Sequence, residues 1–225
     1  MKASLDTNVI IHLYQAHAQQ ILFDRFDEGI VVYSFICDVE MKAHGQAVLD
    51  DFELDVSRGK IRIIDNTYLK SIGMLQEFNE YVRNEKILYS PQDLGEVFAT
   101  ALARTLGAFA IVTDDVKPGG PHFTLMRMPE GDIIPLSFYE VLLLDFLDKK
   151  IEAVDVIDIF NQVISVSDMH WTIESQLKIF IKRFWRDPYT EREKEWMQTF
   201  CQKNSVKPKS RMTLLSQEIK RQREV

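Results

Sequence analysis

Acidic side chains recur in the first half of the chain at positions where a folded protein seldom keeps a charge without a partner. Asp6 ends a short apolar run at the N-terminus, and Asp114 and Asp115 directly follow another apolar run. Glu40 and Glu96 lie in helical apolar patterns. A buried charge requires a partner or a function, so these five carboxylates are the candidate catalytic residues.

Carboxylates that share one pocket define the chemistry that we expect. Several of them within a few ångströms of each other cannot all stay ionised unless cations are present. Mg²⁺ and Mn²⁺ prefer oxygen ligands. Such an ion can deprotonate a water and stabilise the charge on a phosphodiester during in-line attack. Asn8 and Thr113 are then expected to hold the carboxylates in place by hydrogen bonds.

The elements that must position these acids are strands that alternate with helices. Four apolar segments predict strands, and a fifth segment is weaker; they cover residues 2–5, 30–33, 61–64, 109–113 and 132–135. Helical patterns separate them, which predicts an α/β fold whose parallel sheet of four to five strands is flanked by helices. Ligands bind such sheets at the carboxyl ends of the strands. If the first and fourth strands are neighbours, the acids converge there.

The clearest helical pattern covers residues 91–106. Ser90 and Pro91 are typical of a helix start, and Asp93 three residues after Ser90 fits the acid of a capping box. Glu96 lies on the small-residue face of this helix. Asp93 is therefore a helix-capping residue in one interpretation and a further member of the acidic set in the other.

After about residue 136 the alternation ends, and the remaining chain is predicted to be helical. The expected domains are residues 1–135, with the acidic residues, and residues 136–225, a helical extension with a basic tail. Helices are expected at 138–148, 152–165, 169–185, 189–202 and 211–223. An apolar stripe in the third of them either packs within the chain or forms a groove for a protein partner or a second copy; its members are Ile173, Leu177, Phe180 and Phe184.

Composition and charge narrow the class of protein. Two cysteines cannot form a disulfide framework, and neither a signal-peptide pattern nor an apolar run of about 18 residues is present, so a cytoplasmic protein that does not span a membrane is expected. The net charge is −7, yet residues 203–225 are basic. That tail contacts phosphates or forms a solvated helix. Lys117 likewise either reaches a substrate phosphate or is a loop charge.

In four places the chain resembles the PIN-domain family of metal-dependent ribonucleases. The resemblance covers about residues 1–135, and the order and spacing of the motifs make it specific. The matching pieces are Leu5-Asp6-Thr7-Asn8-Val9-Ile10, the helix acid Glu40, Gly95-Glu96 at the start of an Ala-rich helix, and Ile111-Val112-Thr113-Asp114-Asp115. The resemblance implies a parallel sheet with helices on both faces and an acidic pocket that binds Mg²⁺ or Mn²⁺ to cut RNA.

Residue by residue, Asp6, Glu40 and Glu96 fall on the first three acids of that family. Counting from Glu96 selects Asp114 as the fourth, whereas anchoring on Thr113 selects Asp115. The resemblance thus implies a metal held by Asp6, Glu96 and one or both of these aspartates, with Asp114 preferred. It also implies an RNA substrate and, for a toxin, a protein inhibitor of the antitoxin type. The long helical C-terminal region departs from the compact toxin members of the family.

Other functions fit the sequence less well. A non-catalytic interaction protein that keeps the fold and binds a partner through its helical lobe is the main alternative, although a dead domain has no need to keep repelling charges together. A phosphatase of the haloacid dehalogenase type needs a second aspartate two residues after the first, and Asn8 stands there. A receiver domain needs its acidic pair before the phosphoacceptor. The five histidines form no metal-ligand pattern.

Overall fold

The structure is a computed structural model that describes residues 1–89, 93–125 and 133–224. The chain divides into two compact units, Met1–Phe138 and Tyr139–Val225. The predicted boundary after residue 135 falls three residues earlier, inside the last strand of the sheet. In the described ranges, no helix combines the length and the apolar character needed to cross a membrane.

A five-stranded parallel sheet forms the centre of the first unit. In spatial order the strands are β3, β2, β1, β4 and β5. They span Lys2–Leu5 (β1), Gly29–Tyr33 (β2), Ile61–Ile64 (β3), Ala110–Val112 (β4) and Ile134–Leu136 (β5). Parallel sheets covered on their faces need nearly continuous apolar strands, and all residues of β4 and β5 are buried. The predicted α/β fold with a parallel sheet is confirmed.

The strand positions agree closely with the sequence pattern. β1 and β3 have the predicted bounds, whereas β2 begins one residue earlier, at Gly29. β4 is shorter than the predicted 109–113, and β5 ends one residue later than the predicted 132–135, with Asp132 outside the described residues. The condition under which the acids converge, that the first and fourth strands are neighbours, is met, because Leu5 of β1 is paired in register with Val112 of β4.

Helices connect the strands of the first unit. They span Thr7–Gln15 (α1), Gln20–Arg25 (α2), Lys42–His44 (α3), Leu49–Ser57 (α4), Asn66–Ser71 (α5), Leu75–Leu88 (α6), Leu94–Thr105 (α7) and Pro121–Leu125 (α8). A π-helical turn, Ile36–Met41, follows β2, and a 3₁₀ turn covers Gln46–Val48. We call the former the first π turn.

Helix α7 differs from its prediction at its start. It begins at Leu94, and the predicted first residues Ser90 and Pro91 lie outside the described residues. Asp93 directly precedes the helix, but its side chain makes no capping hydrogen bond. The predicted capping-box partner of Asp93 is Ser90, which lies outside the described residues, so that interpretation stays a prediction. The charge of Asp93 lies close to the start of the helix that carries Glu96.

The second unit is helical, as predicted. Its helices span Phe138–Leu147 (α9, which starts at the unit boundary), Ala153–Val166 (α10), Ile173–Ile181 (α11), Glu191–Lys203 (α12) and Pro208–Arg223 (α13). A second π turn, Lys182–Arg186, continues α11. The predicted apolar stripe is buried, and the rings of Phe180 and Phe184 lie 4.8 Å apart. Packing within the chain is thus confirmed for this stripe.

Arg183 joins three helical segments of the second unit. Its guanidinium is buried and donates to both carboxylate oxygens of Glu140, at 2.8 and 2.7 Å, and to Glu193 Oε1, at 3.0 Å. Leaving a buried charge without its partner costs about 3–5 kcal/mol. This unit therefore requires both glutamates as long as the arginine is present.

Candidate functional site

The candidate site lies at the carboxyl ends of β1 and β4. From β1 the chain continues to β2 on one side, whereas β4 lies on the other side. A strand order that reverses in this way opens a crevice at the carboxyl edge of the sheet. The amide of Asp6 donates to the carbonyl oxygen of Val112 at 3.0 Å, which fixes the first acid at that point.

Asp6 is a buried carboxylate, with 1% of its surface exposed. Burial raises the pKa of Asp6 well above its usual range, and the negative charges of Glu96 and Glu40 raise it further. The hydroxyl of Thr113 donates to Asp6 Oδ2 at 3.0 Å, as predicted for Thr113. Burial and these charges disfavour the ionised form of Asp6, which a bound cation would stabilise.

Glu96 belongs to the same electrostatic cluster. It lies in the first turn of α7, a helix that contacts both β1 and β2. Burial raises the pKa of Glu96 to about 7, and the charges of Asp93, Asp115 and Glu40 contribute to the increase. Two carboxyls with raised pKa values in one crevice are typical of functional sites.

The first π turn carries Glu40 to this cluster. Single π turns inside helices occur frequently at functional sites, and here the turn begins three residues after the last residue of β2. The hydroxyl of Thr7 donates to Glu40 Oε2. A Cβ atom on Gly95 would lie only 2.7 Å from Glu40 Oε1, so the carboxylate contacts the start of α7 where only glycine leaves room. Neither Thr7 nor Gly95 was assigned this function from sequence, although both stand in the matching motifs.

Asp114 and Asp115 differ in their hydrogen-bond partners. Asp114 Oδ1 accepts from the amide of Phe138 at 3.0 Å, and Asp114 Oδ2 lies 2.9 Å from His12 Nδ1. Asp115 is among the charges that raise the pKa of Glu96, and its amide donates to Thr113 Oγ1 at 3.1 Å. The Asp115 carboxylate is also bonded, since its Oδ1 accepts from the amide of Lys117 at 2.9 Å. The effect of its charge on Glu96 favours Asp115 as the fourth acid, whereas counting along the sequence preferred Asp114. The contact between His12 and Asp114 was not expected.

The remaining sequence candidates differ in position. Lys117 is exposed, and its Nζ atom lies 3.4 Å from Asp115 Oδ2, so it lies at the edge of the cluster. Asn8 is exposed, and in the described ranges its side chain forms no hydrogen bond with any of the acids. The expectation that Asn8 holds a carboxylate in place is therefore not supported by this geometry.

The donor atoms fit a hard divalent cation by their chemistry. Asp6, Glu40, Glu96 and Asp115 offer only carboxylate oxygens, which Mg²⁺ and Mn²⁺ prefer, and their mutual repulsion is the energy that such a cation would relieve. Within the described part of the chain, no three Asp, Glu, His or Cys side chains are grouped closely enough to hold one ion. Binding of one ion by three of these side chains therefore requires their carboxylates to come closer together.

Comparison with known proteins does not narrow the possible functions of this site. No protein-family model, no curated protein and no solved structure gives a significant match to this chain. What the site can do is therefore inferred from its own residues and from the order of the four motifs.

Proposed function

We propose that this protein is a cytoplasmic, metal-dependent endoribonuclease of the PIN-domain type, which hydrolyses phosphodiester bonds in RNA. One observation carries the proposal: a buried aspartate at the end of the central strand has its pKa raised by burial and by two glutamates from different elements. Repelling charges in a crevice destabilise the fold, so their presence at a ligand-binding edge of the sheet indicates a functional need.

Each acid has a place in the proposed reaction. Asp6, Glu96 and Asp115 would hold Mg²⁺ or Mn²⁺, and Glu40 would lie next to them. When bound, such an ion supplies positive charge for the phosphodiester oxygens and lowers the pKa of a water.

Two neighbouring residues support these acids. Thr113 fixes the orientation of the Asp6 carboxylate through its hydroxyl. Lys117 is exposed beside Asp115 and can contact a substrate phosphate.

The family resemblance implies a biological setting in which a toxin is inhibited by a protein partner. A homodimer is the simplest assembly of such a protein.

Chelation tests the proposal directly. Purified protein should cut a labelled RNA in Mn²⁺ or Mg²⁺, lose this activity in EDTA, and recover it when the metal is restored in excess. Asp6→Asn should be inactive under all of these conditions. Cleavage that is indifferent to EDTA, or that persists in Asp6→Asn, would contradict the proposal.

A non-catalytic interaction protein is the second candidate, and one observation favours it. The described side chains contain no ready group of three metal ligands. Thermal unfolding separates the two candidates, because a ligand that binds only the native state raises its stability. A midpoint that rises with Mn²⁺ in the native chain and not in Asp6→Asn supports the nuclease. An unchanged midpoint favours the interaction protein.

A further inference from the structure

A cleft in the second unit lies between the second π turn and α13. Its volume is about 570 Å³, which is within the range of ligand-binding pockets. Apolar side chains such as Ile181, Trp185 and Met212 contribute much of its wall. The proposed catalytic acids all belong to the first unit, so this cleft is a separate feature of the molecule.

Three cations line this cleft without a counter-charge. Arg186, Lys209 and Lys220 are exposed, and in the described ranges none of their side chains forms an ion pair or a hydrogen bond. None of the described lining residues is acidic. Other basic residues of α13 are paired: Arg211 donates to the carbonyl of Phe146, and Arg223 contacts Glu174. The cleft therefore presents unneutralised positive charge, which fits an anionic occupant.

Trp185 adds an aromatic surface to these cations. Its side chain is 37% exposed, and its ring makes edge contacts with Phe180 and Phe184, at centroid distances of 5.7 and 6.3 Å. These contacts hold the indole in position while part of it remains accessible. An aromatic side chain next to several cations is the combination with which proteins bind single-stranded nucleic acid, because bases stack on the ring and phosphates contact the cations.

We propose that this cleft binds single-stranded RNA, with a base against Trp185 and the phosphates beside Arg186, Lys209 and Lys220. The choice of RNA rests on the proposed function. The charge distribution supports a site in this unit, since residues 1–138 have eight more acidic than basic side chains and residues 139–225 have one more basic than acidic. A polyanionic substrate needs a cationic surface, which this cleft supplies.

Binding can be measured without cleavage. The full chain in EDTA is titrated against a fluorescein-labelled twelve-nucleotide oligouridylate, and fluorescence anisotropy gives the dissociation constant at several salt concentrations. We expect affinity to fall steeply with salt. Lys209→Glu with Lys220→Glu should weaken binding by about tenfold or more, and Trp185→Leu by about fivefold to 100-fold. Trp185→Phe keeps an aromatic face and should stay close to the native chain.

A matched control separates the cleft from general charge effects. Lys178 and Lys203 are also exposed, do not line the cleft and form no ion pair in the described ranges. Lys178→Glu with Lys203→Glu makes the same change in net charge and should weaken binding less than threefold. Equal losses in the two double variants, or no RNA binding at low salt, would overturn the proposal. The proposal would also be overturned if poly-L-glutamate competed as well as RNA in both the native chain and Trp185→Leu. That result would indicate that the cleft binds an acidic peptide.

The two proposals fail separately. Asp6→Asn should bind the oligonucleotide in EDTA as the native chain does. If the protein binds the oligonucleotide but shows no metal-dependent cleavage, the nuclease proposal is refuted and the RNA-binding cleft stands. If the cleft variants bind the oligonucleotide as the native chain does and cleavage is unchanged, the RNA-binding cleft is refuted and the nuclease proposal stands. If Trp185→Leu does not fold, Trp185→Phe and the two lysine double variants still test whether the cleft binds RNA.

Discussion

The hydroxyl of Thr113 donates a hydrogen bond of 3.0 Å to Asp6 Oδ2 and accepts one of 3.1 Å from the amide of Asp115. One side chain thus connects the end of β1 with the end of β4 and with the loop that carries a second acid. Hydrogen bonds to a metal-binding carboxylate orient it and tune its affinity. Thr113 is accordingly the residue that couples the two strands at the candidate site.

Replacing this threonine tests the coupling. Thr113→Val keeps the shape and removes the hydroxyl, and we expect metal-dependent cleavage to fall about 10–100-fold. Thr113→Ser retains the hydroxyl and should keep most of the activity. The measurement is the rate of RNA cleavage as a function of Mn²⁺ concentration. Native activity in Thr113→Val would show that this hydrogen bond has no part in the reaction.

Neutralising Asp6 should separate activity from stability. In Asp6→Asn we expect cleavage to fall by more than the 10–100-fold that loss of a supporting hydrogen bond costs, because a charged metal ligand is removed. The metal-free fold should be as stable as the native one or more stable, since the repulsion from Glu96 and Glu40 disappears. Cleavage assays and thermal unfolding in EDTA measure the two effects.

Asp50→Asn is the matched control for this change. Asp50 is exposed in the first turn of α4, which carries none of the candidate acids, and its replacement removes the same charge. It should leave both cleavage and the unfolding midpoint near their native values. A loss of activity as large as that of Asp6→Asn would mean that net charge, and not a metal site, is being measured.

Asp114 and Asp115 should have different effects when each is replaced by alanine. Asp114→Ala removes the carboxylate oxygen that accepts from the buried amide of Phe138, and we expect a loss of about 1–3 kcal/mol in the free energy of unfolding. Asp115→Ala should instead weaken Mn²⁺ binding with a smaller effect on stability. Urea unfolding and calorimetric titration measure the two quantities. If Asp114→Ala loses Mn²⁺ binding and Asp115→Ala keeps it, Asp114 is the ligand.

The sequence was sufficient to predict the parallel sheet and the positions of Asp6 and the Asp114–Asp115 pair, because each follows a short apolar run that forms a buried strand. The neighbouring arrangement of the first and fourth strands was only a condition of that prediction, although doubly wound sheets often have it. The choice between the two aspartates was not predictable. It depends on contacts with His12 and Phe138, which are distant from the aspartates in sequence.

Two further features depend on the tertiary structure. The first π turn shifts Glu40 relative to an α-helix, but the sequence of Ile36–Met41 has no pattern that distinguishes the two. Gly95 looks like an ordinary residue near a helix start, and only the contact with Glu40 shows why a side chain would not fit. The function expected for Asn8 was overestimated, because its side chain is exposed, which its place in the sequence does not show.

Gly95→Ala should displace the carboxylate of Glu40. The added methyl group would lie within 2.8 Å of Glu40 Cδ, so the side chain must rotate or α7 must shift. We expect cleavage to fall about tenfold or more, since misplacement of about 1 Å can cost 100-fold in rate. A double-mutant cycle with Glu40→Gln isolates the effect. Losses that simply add in the double variant would show that Gly95 does not act through Glu40.

The stability of the metal-free protein should depend on pH through Glu96. Its pKa is raised from 4.5 to about 7, so between these pH values the native state binds more protons than the unfolded state. Stability from this group is therefore complete below pH 4.5 and is lost as the pH rises to about 7. Urea unfolding in EDTA should show this decline, and Glu96→Gln should reduce it. If the free energies of unfolding of the native chain and Glu96→Gln differ by the same amount at every pH, the raised pKa of Glu96 is contradicted.

The most direct test of the central claim is a crystal soaked in MnCl₂ and measured for anomalous scattering. We predict a manganese peak at the carboxyl ends of β1 and β4, with oxygen atoms of Asp6 and Glu96 about 2.0–2.2 Å from the ion and Asp115 beside it. Peaks confined to exposed acids, with the carboxylates of Asp6 and Glu96 still apart at saturating Mn²⁺, would contradict the proposed metal site and the nuclease that depends on it.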